Sequence, residues 1–152
     1  MNITLLIIIL CIVMSAYFSA TETAFSSLNR IRIKNMADKG NKRAALVLKL
    51  SSDYDRLLST ILIGNNIVNI ASASLSTLLF VRFLGEDIGA SVSTAVTTVV
   101  VLIFGEVSPK SIAKEAPENF AMFSAPLLNG FALLLTPLNF LFKQWKKVLS
   151  RL

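Results

Sequence analysis

The sequence contains no histidine and a single cysteine, and these scarcities exclude several classes of function. Without histidine, a zinc hydrolase site, a histidine-dependent catalytic triad and an intramembrane metalloprotease motif cannot be built. The lone Cys11 excludes a framework of disulfide bonds within the chain. An intramembrane hydrolase would lack a histidine base here, so we expect a protein that is not an enzyme.

Charged residues are also scarce, at 16% of 152 residues, whereas hydrophobic residues make up 54%. The hydrophobic residues are grouped into runs long enough to cross a bilayer. Three membrane-spanning helices are predicted, at about 3–28, 56–80 and 87–107. The first run lacks a preceding basic segment and a small-residue cleavage site, so we interpret it as a retained span rather than a signal peptide.

The remaining segments predict helices that do not cross the membrane. Residues 30–52 read as two short juxtamembrane helices, the first ended by Gly40. Residues 116–150 read as a helix bent at Pro126 and Pro137 that lies along the membrane interface. The predicted fold class is therefore an all-α integral membrane protein, with residues 1–152 forming a single transmembrane domain.

The distribution of basic residues predicts the orientation in the membrane. Eight Lys and Arg residues lie between Arg30 and Arg56, whereas Arg82 alone lies between the second and third spans. Basic loops stay cytoplasmic, which places the N-terminus outside and the C-terminus in the cytoplasm of a cell inner (plasma) membrane protein. A fourth span would put the KQWKK segment at 143–147 outside, against the same rule; this alternative is less favoured but stays open.

The net charge of +6 is explained by membrane lipid rather than by nucleic acid. The basic residues flank the apolar runs, where they meet anionic lipid headgroups. We therefore predict membrane lipid as a partner and no nucleic acid.

Polar groups inside the predicted spans are candidates for a site, because such groups are costly in hydrocarbon. By the rise of the helix, they all fall in the cytoplasmic half of the bilayer, and those four residues apart share a helix face. The candidate residues are Ser19 and Thr23 of the first span, Asn65 and Asn69 of the second, and Gly105 and Glu106 of the third.

The GEVSPK segment at the end of the third span suggests what the site binds. Pro109 cannot donate to the carbonyl four residues earlier, which predicts a free carbonyl oxygen at Gly105, beside the Glu106 carboxylate. Together with amides and hydroxyls this makes an all-oxygen ligand set, which suits a hard cation such as Mg²⁺ or Na⁺. Two plainer interpretations stay open: Asn65 and Asn69 can join helices, and Glu106 can be an ordinary helix end.

Three motifs resemble the membrane domain of the CorC/CorB and cyclin M magnesium transporters. They are FSATETAFSSL at 18–28, IGNNIVN at 63–69 and GEVSPK at 105–110, in the family's order and separation. The resemblance implies three spans, an outside N-terminus, a proline-bent juxtamembrane helix and a homodimer. It also implies a largely dehydrated Mg²⁺ held by Ser19, Asn65, Glu106 and the Gly105 carbonyl, with Asn69 and Thr23 as further candidates.

The function implied by the resemblance is export of Mg²⁺ as substrate through an inward-facing site, with Na⁺ as a candidate coupling ion. The alternative is a membrane sensor or scaffold that does not transport and whose Mg²⁺ site is structural. Family members continue into a cytoplasmic pair of CBS modules that binds ATP. This chain has no such module, so ATP is expected to act only through a part of the protein that lies outside it.

Overall fold

The computed structural model describes residues 2–152, and all of its regular structure in this range is helical. This confirms the predicted all-α fold class. The elements are α1 (Asn2–Ser27), α2 (Arg30–Asp38), α3 (Lys42–Ser52), α4 (Tyr54–Leu84), α5 (Glu86–Val100), a π-helical segment (Val101–Val107), α6 (Ser108–Glu115), α7 (Pro117–Leu134) and α8 (Thr136–Ser150).

Three helices are long and apolar enough to cross a membrane, in agreement with the predicted number of spans. They run over Ile3–Ser27, Tyr54–Leu84 and Glu86–Glu115. The third is α5, the π-helical segment and α6 joined end to end, so it continues eight residues beyond the predicted end at 107. The chain is therefore a multi-pass membrane protein by the length and composition of its helices.

Short polar signals set the ends of the juxtamembrane helices. The side-chain oxygen of Asn29 accepts hydrogen bonds from the first amides of α2, and Asn41 does the same for α3. Gly40 lies between them with a φ of 96°, and Gly85 joins α4 to α5 with a φ of 89°. These left-handed conformations favour glycine, which explains why the chain turns at these two points.

Helix α1 is the centre of the molecule, since it packs against α4, the π-helical segment, α6 and α7. Phe18 and Phe25 of α1 lie in one buried cluster with Leu57 and Ile61 of α4. Helix α7 packs against α1 and α3 and contributes Leu128 to this cluster. The half of α1 from Ser15 to Phe25 is thus largely buried against the neighbouring helices, whereas side chains of its first half such as Leu6 and Val13 are exposed.

Helices α7 and α8 form a pair bent by 73°. The break comes at Leu135, and Pro137 is the second residue of α8, whereas Pro126 lies inside α7 without ending it. A bend within residues 116–150 agrees with the prediction, but the bend belongs to Pro137 and not to both prolines. The interfacial position of this pair stays a prediction, because the two helices together are also long enough for one broken span.

Candidate cation site

A hydrogen-bonded group of polar side chains joins α1 to α4. The Ser15 hydroxyl of α1 donates to Asn65 Oδ1 at 3.1 Å, and Asn69 Nδ2 donates to the same oxygen at 3.4 Å. Asn65 and Asn69 lie one turn apart on one face of α4. The structure therefore brings together the two asparagines that the sequence nominated, and it adds Ser15.

Gly105 lies directly against this group from the third span. A Cβ atom at Gly105 would be 2.9 Å from Ser15 Oγ, so any side chain there would displace the serine. Gly105 is buried, and its backbone is uncovered toward α1 because glycine has no side chain. We call Ser15, Asn65, Asn69 and Gly105, together with Ser19 one helical turn from Ser15, the Asn65 cluster.

Ser19 lies one turn beyond Ser15 on the same face of α1 and is 1% exposed. Its hydroxyl has no hydrogen-bond partner within residues 2–152. By contrast, the hydroxyls of Thr21 and Ser26, on the same helix, donate to the backbone carbonyl four residues earlier. Thr23, a further turn along the face of Ser19, is also buried. The Ser19 hydroxyl is therefore a buried polar group with an unused bonding capacity.

The segment around Gly105 is wider than an α-helix. The Ser108 amide donates to the Ile103 carbonyl, five residues earlier, as in a π-helix. This wider turn gives room to the ring of Pro109, which would clash with the Gly105 carbonyl in a regular α-helix. With hydrogen bonds that span five residues, the carbonyl that Pro109 leaves without a donor is that of Phe104 rather than that of Gly105. The prediction of a free Gly105 carbonyl assumed bonds that span four residues, so it loses this support, and the Gly105 carbonyl stays a predicted ligand.

Glu106 is the carboxylate nearest to the cluster in sequence, and it lies at the end of the π-helical segment. Its Oε2 is 3.4 Å from the Lys110 ammonium, one turn further along, and its side chain is 26% exposed. Within residues 2–152, no hydrogen bond joins Glu106 to the Asn65 cluster. The structure therefore places Glu106 at the edge of the cluster, in an ion pair, and does not bring its carboxylate into contact with the amides.

The donor set of the cluster is made of oxygen atoms. Across residues 2–152, no three His, Cys, Asp or Glu side chains come together as in an ordinary metal centre. The available atoms are two hydroxyls, two amide oxygens, backbone carbonyls and, at the edge, one carboxylate. Such oxygens suit hard cations, and the low charge favours binding that can be reversed.

Sequence reasoning missed Ser15, although the residue holds the cluster together. Its spacing carried the signal, because Ser15 precedes Ser19 by four residues and therefore shares its helix face. The π-helical segment was also missed. A glycine followed four residues later by a proline inside one long apolar helix was the sequence feature that could have indicated it.

Comparison with known proteins identifies the family. The profile described as "Cyclin M transmembrane N-terminal domain" matches residues 6–152. The UPF0053 inner membrane protein YfjD of Escherichia coli is 45% identical over 138 residues, which cover 91% of this chain and 32% of that protein. A UPF0053 protein of Haemophilus influenzae is 38% identical, with coverage of 97% and 35%. A chloroplastic DUF21 domain-containing protein of Arabidopsis thaliana is 34% identical, with coverage of 88% and 20%.

The chain spans about a third or less of the length of these relatives, whereas each match covers nearly all of the chain. The match therefore concerns the membrane domain, and it confirms the resemblance seen in the three sequence motifs. With the family profile covering all but the first five residues, this chain belongs to the cyclin M transmembrane-domain family.

Proposed function

We propose that this domain transports Mg²⁺ and that the Asn65 cluster is its ion-binding site, open to the cytoplasmic side. The observation that carries the proposal is the Ser19 hydroxyl, which is buried, has no partner within residues 2–152 and lies on the face of α1 that bears Ser15. A buried hydroxyl without a partner costs free energy, unless a ligand uses it. The family, moreover, is broadly linked to divalent cation transport.

The proposed ligands are Ser19 Oγ, the side-chain oxygens of Asn65 and Asn69, the Gly105 carbonyl and Glu106, with Thr23 as a further ligand. Asn65 Oδ1 already accepts from Ser15 and Asn69. A cation at this oxygen competes with those donors, and the longer bond from Asn69 is the one to give way. Turning Asn69 presents its own oxygen to the ion, so one rotation supplies two ligands.

Lys110 gives the site a way to release its ion. Its ammonium lies 3.4 Å from Glu106 Oε2, so Mg²⁺ has to displace it before the carboxylate can bind the metal. When the ion leaves, Lys110 returns and neutralises Glu106 within the same turn of helix. Competition of this kind keeps affinity moderate, which suits a transported ion better than a structural one.

The remaining parts of the proposal rest on the family resemblance and on charge distribution. They are export of Mg²⁺, coupling to Na⁺, a homodimer, an inner-membrane location with the N-terminus outside, and action of ATP only through a cytoplasmic module. The name of YfjD, an inner membrane protein, supports the location. The connection between the second and third spans has Arg82 as its one basic residue, which supports an outside position for that connection.

A sensor or scaffold with a structural Mg²⁺ site is the second candidate. It is favoured by the hydrogen bond from Ser15 to Asn65, which joins α1 to α4 with protein groups alone. In that case the asparagines serve mainly to hold helices together. The two candidates differ in one measurable respect, since only a transporter moves the ion across the membrane.

The test is Mg²⁺ flux into liposomes that contain the purified chain, measured with a trapped Mg²⁺ indicator, for wild type and Glu106→Gln. We expect saturable flux in wild type and a loss of about tenfold or more in the variant, since a charged ligand contributes at least about 1.4 kcal/mol. Glu115→Gln, an exposed carboxylate in the same long helix, is the matched control and is expected to keep wild-type flux.

Mg²⁺ binding without any flux in wild type would refute transport by this domain and favour the sensor or scaffold. Equal flux in wild type and Glu106→Gln would remove Glu106 from the site and leave it an ordinary helix end.

A further inference from the structure

Two adjoining open cavities lie between α4 and α8, lined by residues outside the Asn65 cluster. Each has a volume of about 490 Å³, and Leu62 and Phe142 line both of them. Apart from Asn66, the first cavity has an apolar lining, which includes Ile70 and Leu138. The second lies nearer to the start of α4 and is lined partly by charged side chains of α4 and α8. The two cavities thus form one space with an apolar end and a charged end.

Helix α8 is held beside α4 by two polar contacts. Asn139 Nδ2 donates to Thr60 Oγ1 at 3.0 Å, and Lys146 Nζ lies 2.9 Å from Asp55 Oδ2. Within Thr136–Ser150, which the structure describes throughout, no residue is buried. Phe142 comes between the two contacts in sequence and lines both cavities, yet it is 43% exposed. The apolar side chains of α8 are therefore not packed against α4, and the space beside them is open to another apolar group.

The apolar cavity has the length of a lipid chain in one leaflet. It follows α4 from Leu62 to Ala71, which is about 14 Å along the helix axis. Half of a hydrocarbon core of roughly 30 Å is nearly the same length. Because α4 is one of the three candidate membrane spans, the cavity opens toward hydrocarbon, where an acyl chain can fill it.

The charged cavity has more positive than negative groups. Its lining includes three basic and two acidic side chains, which are Arg56, Lys143, Lys146, Asp53 and Asp55. The net charge of the lining is therefore +1. Lys146 is paired with Asp55, whereas Arg56 and Lys143 form no ion pair among residues 2–152. The Arg56 guanidinium donates one long hydrogen bond, of 3.4 Å, to the Ala132 carbonyl. Two cations at this end can thus bind one anionic group.

We propose that the two cavities together bind one anionic phospholipid. Its phosphodiester would lie between Arg56 and Lys143, and one acyl chain would fill the apolar cavity along α4. A phosphodiester carries a single negative charge, which balances the net charge of the lining, whereas a zwitterionic lipid leaves that charge uncompensated. An apolar helix of another protein would match the first cavity alone.

The orientation of the chain agrees with this ligand. The basic residues around the start of α4 place it on the cytoplasmic side, and the cytoplasmic leaflet is the one that attracts basic segments through its anionic lipids. A lipid bound there would join α8 to α4 through its apolar chain and its headgroup at once. This inference does not depend on the proposed transport of Mg²⁺.

The test counts lipids that stay bound to the purified chain. The chain in a neutral detergent is titrated with phosphatidylglycerol or with phosphatidylcholine of the same acyl chains, and the complexes are resolved by native mass spectrometry. We expect one phosphatidylglycerol per chain, bound about tenfold more tightly than phosphatidylcholine, since each Lys or Arg near an anionic headgroup contributes about fivefold in affinity.

Two variants with matched controls test the two ends of the site. Arg56→Gln combined with Lys143→Gln is expected to remove the preference for phosphatidylglycerol. Its control combines Lys147→Gln with Arg151→Gln, which removes two charges of α8 outside the cavities and keeps the preference. Ala71→Phe fills the apolar cavity and is expected to weaken the binding of both lipids severalfold. The exposed Ala73→Phe is its control on α4.

Equal binding of the two lipids by wild type would overturn the proposal. So would an equal loss of preference in the two double variants, because affinity would then follow the general charge of this end of the chain. Unchanged binding in Ala71→Phe would remove the acyl chain from the apolar cavity. A dimer that retains no lipid would also contradict the proposal and make the cavities a contact between two copies of the chain.

Discussion

The Asn65 cluster, where α1 meets α4, and the contact between α4 and α5 differ in the polar groups that they contain. The Asn65 cluster has buried hydroxyls, two amides, the Gly105 backbone and, at its edge, Glu106. The contact between α4 and α5 has the hydroxyl pair of Thr77 and Ser93. Hydroxyls are common to both contacts, whereas the amides and the neighbouring carboxylate belong to the Asn65 cluster.

This difference separates a contact that can bind a cation from one that holds two helices together. Binding strength for a hard cation depends on the charge and number of oxygen ligands. The Asn65 cluster offers more oxygen atoms than the two hydroxyls of the α4–α5 contact, and a carboxylate lies at its edge. Each prediction below compares a substitution in the Asn65 cluster with a control substitution outside it.

The largest expected effect is that of Asn65→Leu. It removes the oxygen that accepts hydrogen bonds from Ser15 and Asn69. We expect the Mg²⁺ dissociation constant to rise about 10- to 100-fold, which corresponds to about 1.4–2.8 kcal/mol of binding free energy. Ser15 can then donate to its own helix, which limits the loss of stability. Calorimetric titration measures the change.

Asn66→Leu is the matched control for Asn65→Leu, because the neighbouring asparagine is exposed on the outer surface of α4. We expect wild-type Mg²⁺ affinity there. Equal losses in both variants would mean that affinity follows the general polarity of α4 rather than the Asn65 cluster.

Two glycine substitutions are expected to separate effects on Mg²⁺ affinity from effects on the stability of the fold. At Gly105 a Cβ atom would be 2.9 Å from the Ser15 hydroxyl, which can rotate, whereas at Gly89 it would be 2.6 Å from the backbone of Val81, which cannot. We therefore expect Gly89→Ala to lower the free energy of unfolding by about 1–3 kcal/mol with unchanged Mg²⁺ affinity. Gly105→Ala is expected to weaken Mg²⁺ binding severalfold with a smaller loss of stability.

Thermal unfolding and Mg²⁺ titration of both variants check this pair. Loss of Mg²⁺ affinity in Gly89→Ala with a normal melting temperature would contradict this expectation, since it would place part of the binding site between α4 and α5.

Much of the fold could be predicted because it follows from local features of the sequence. The apolar runs determined the spans, and Asn29, Asn41, Gly40 and Gly85 mark the ends of helices through capping and left-handed turns. Pro126 misled the prediction of the bend, because α7 passes through it and breaks at Leu135 instead. A proline inside a helix weakens it, but packing against α1 and α3 decides whether it bends there.

The site could be predicted only as a set of residue types at compatible depths. Depth in the membrane and position on a helix face predicted Ser19 and Asn65 as site residues. The role of Ser15 depends instead on the rotation of α1 against α4. The ion pair of Glu106 with Lys110 has the four-residue spacing of an ordinary helical pair, whereas the direction in which the third span presents it depends on the π-helical segment. Such rotations are set by packing between helices, and no local sequence pattern reports them.

The most direct test of the account is a Mg²⁺ titration of Ser19→Ala, with the melting temperature measured in the absence of Mg²⁺ and with Ser26→Ala as the back-bonded control on the same helix. The account predicts about tenfold weaker Mg²⁺ binding, or about 1.4 kcal/mol, with an equal or higher melting temperature, because Ser19 has no hydrogen-bond partner to lose among residues 2–152. Wild-type Mg²⁺ affinity in Ser19→Ala would contradict it, since the buried hydroxyl would then bind nothing.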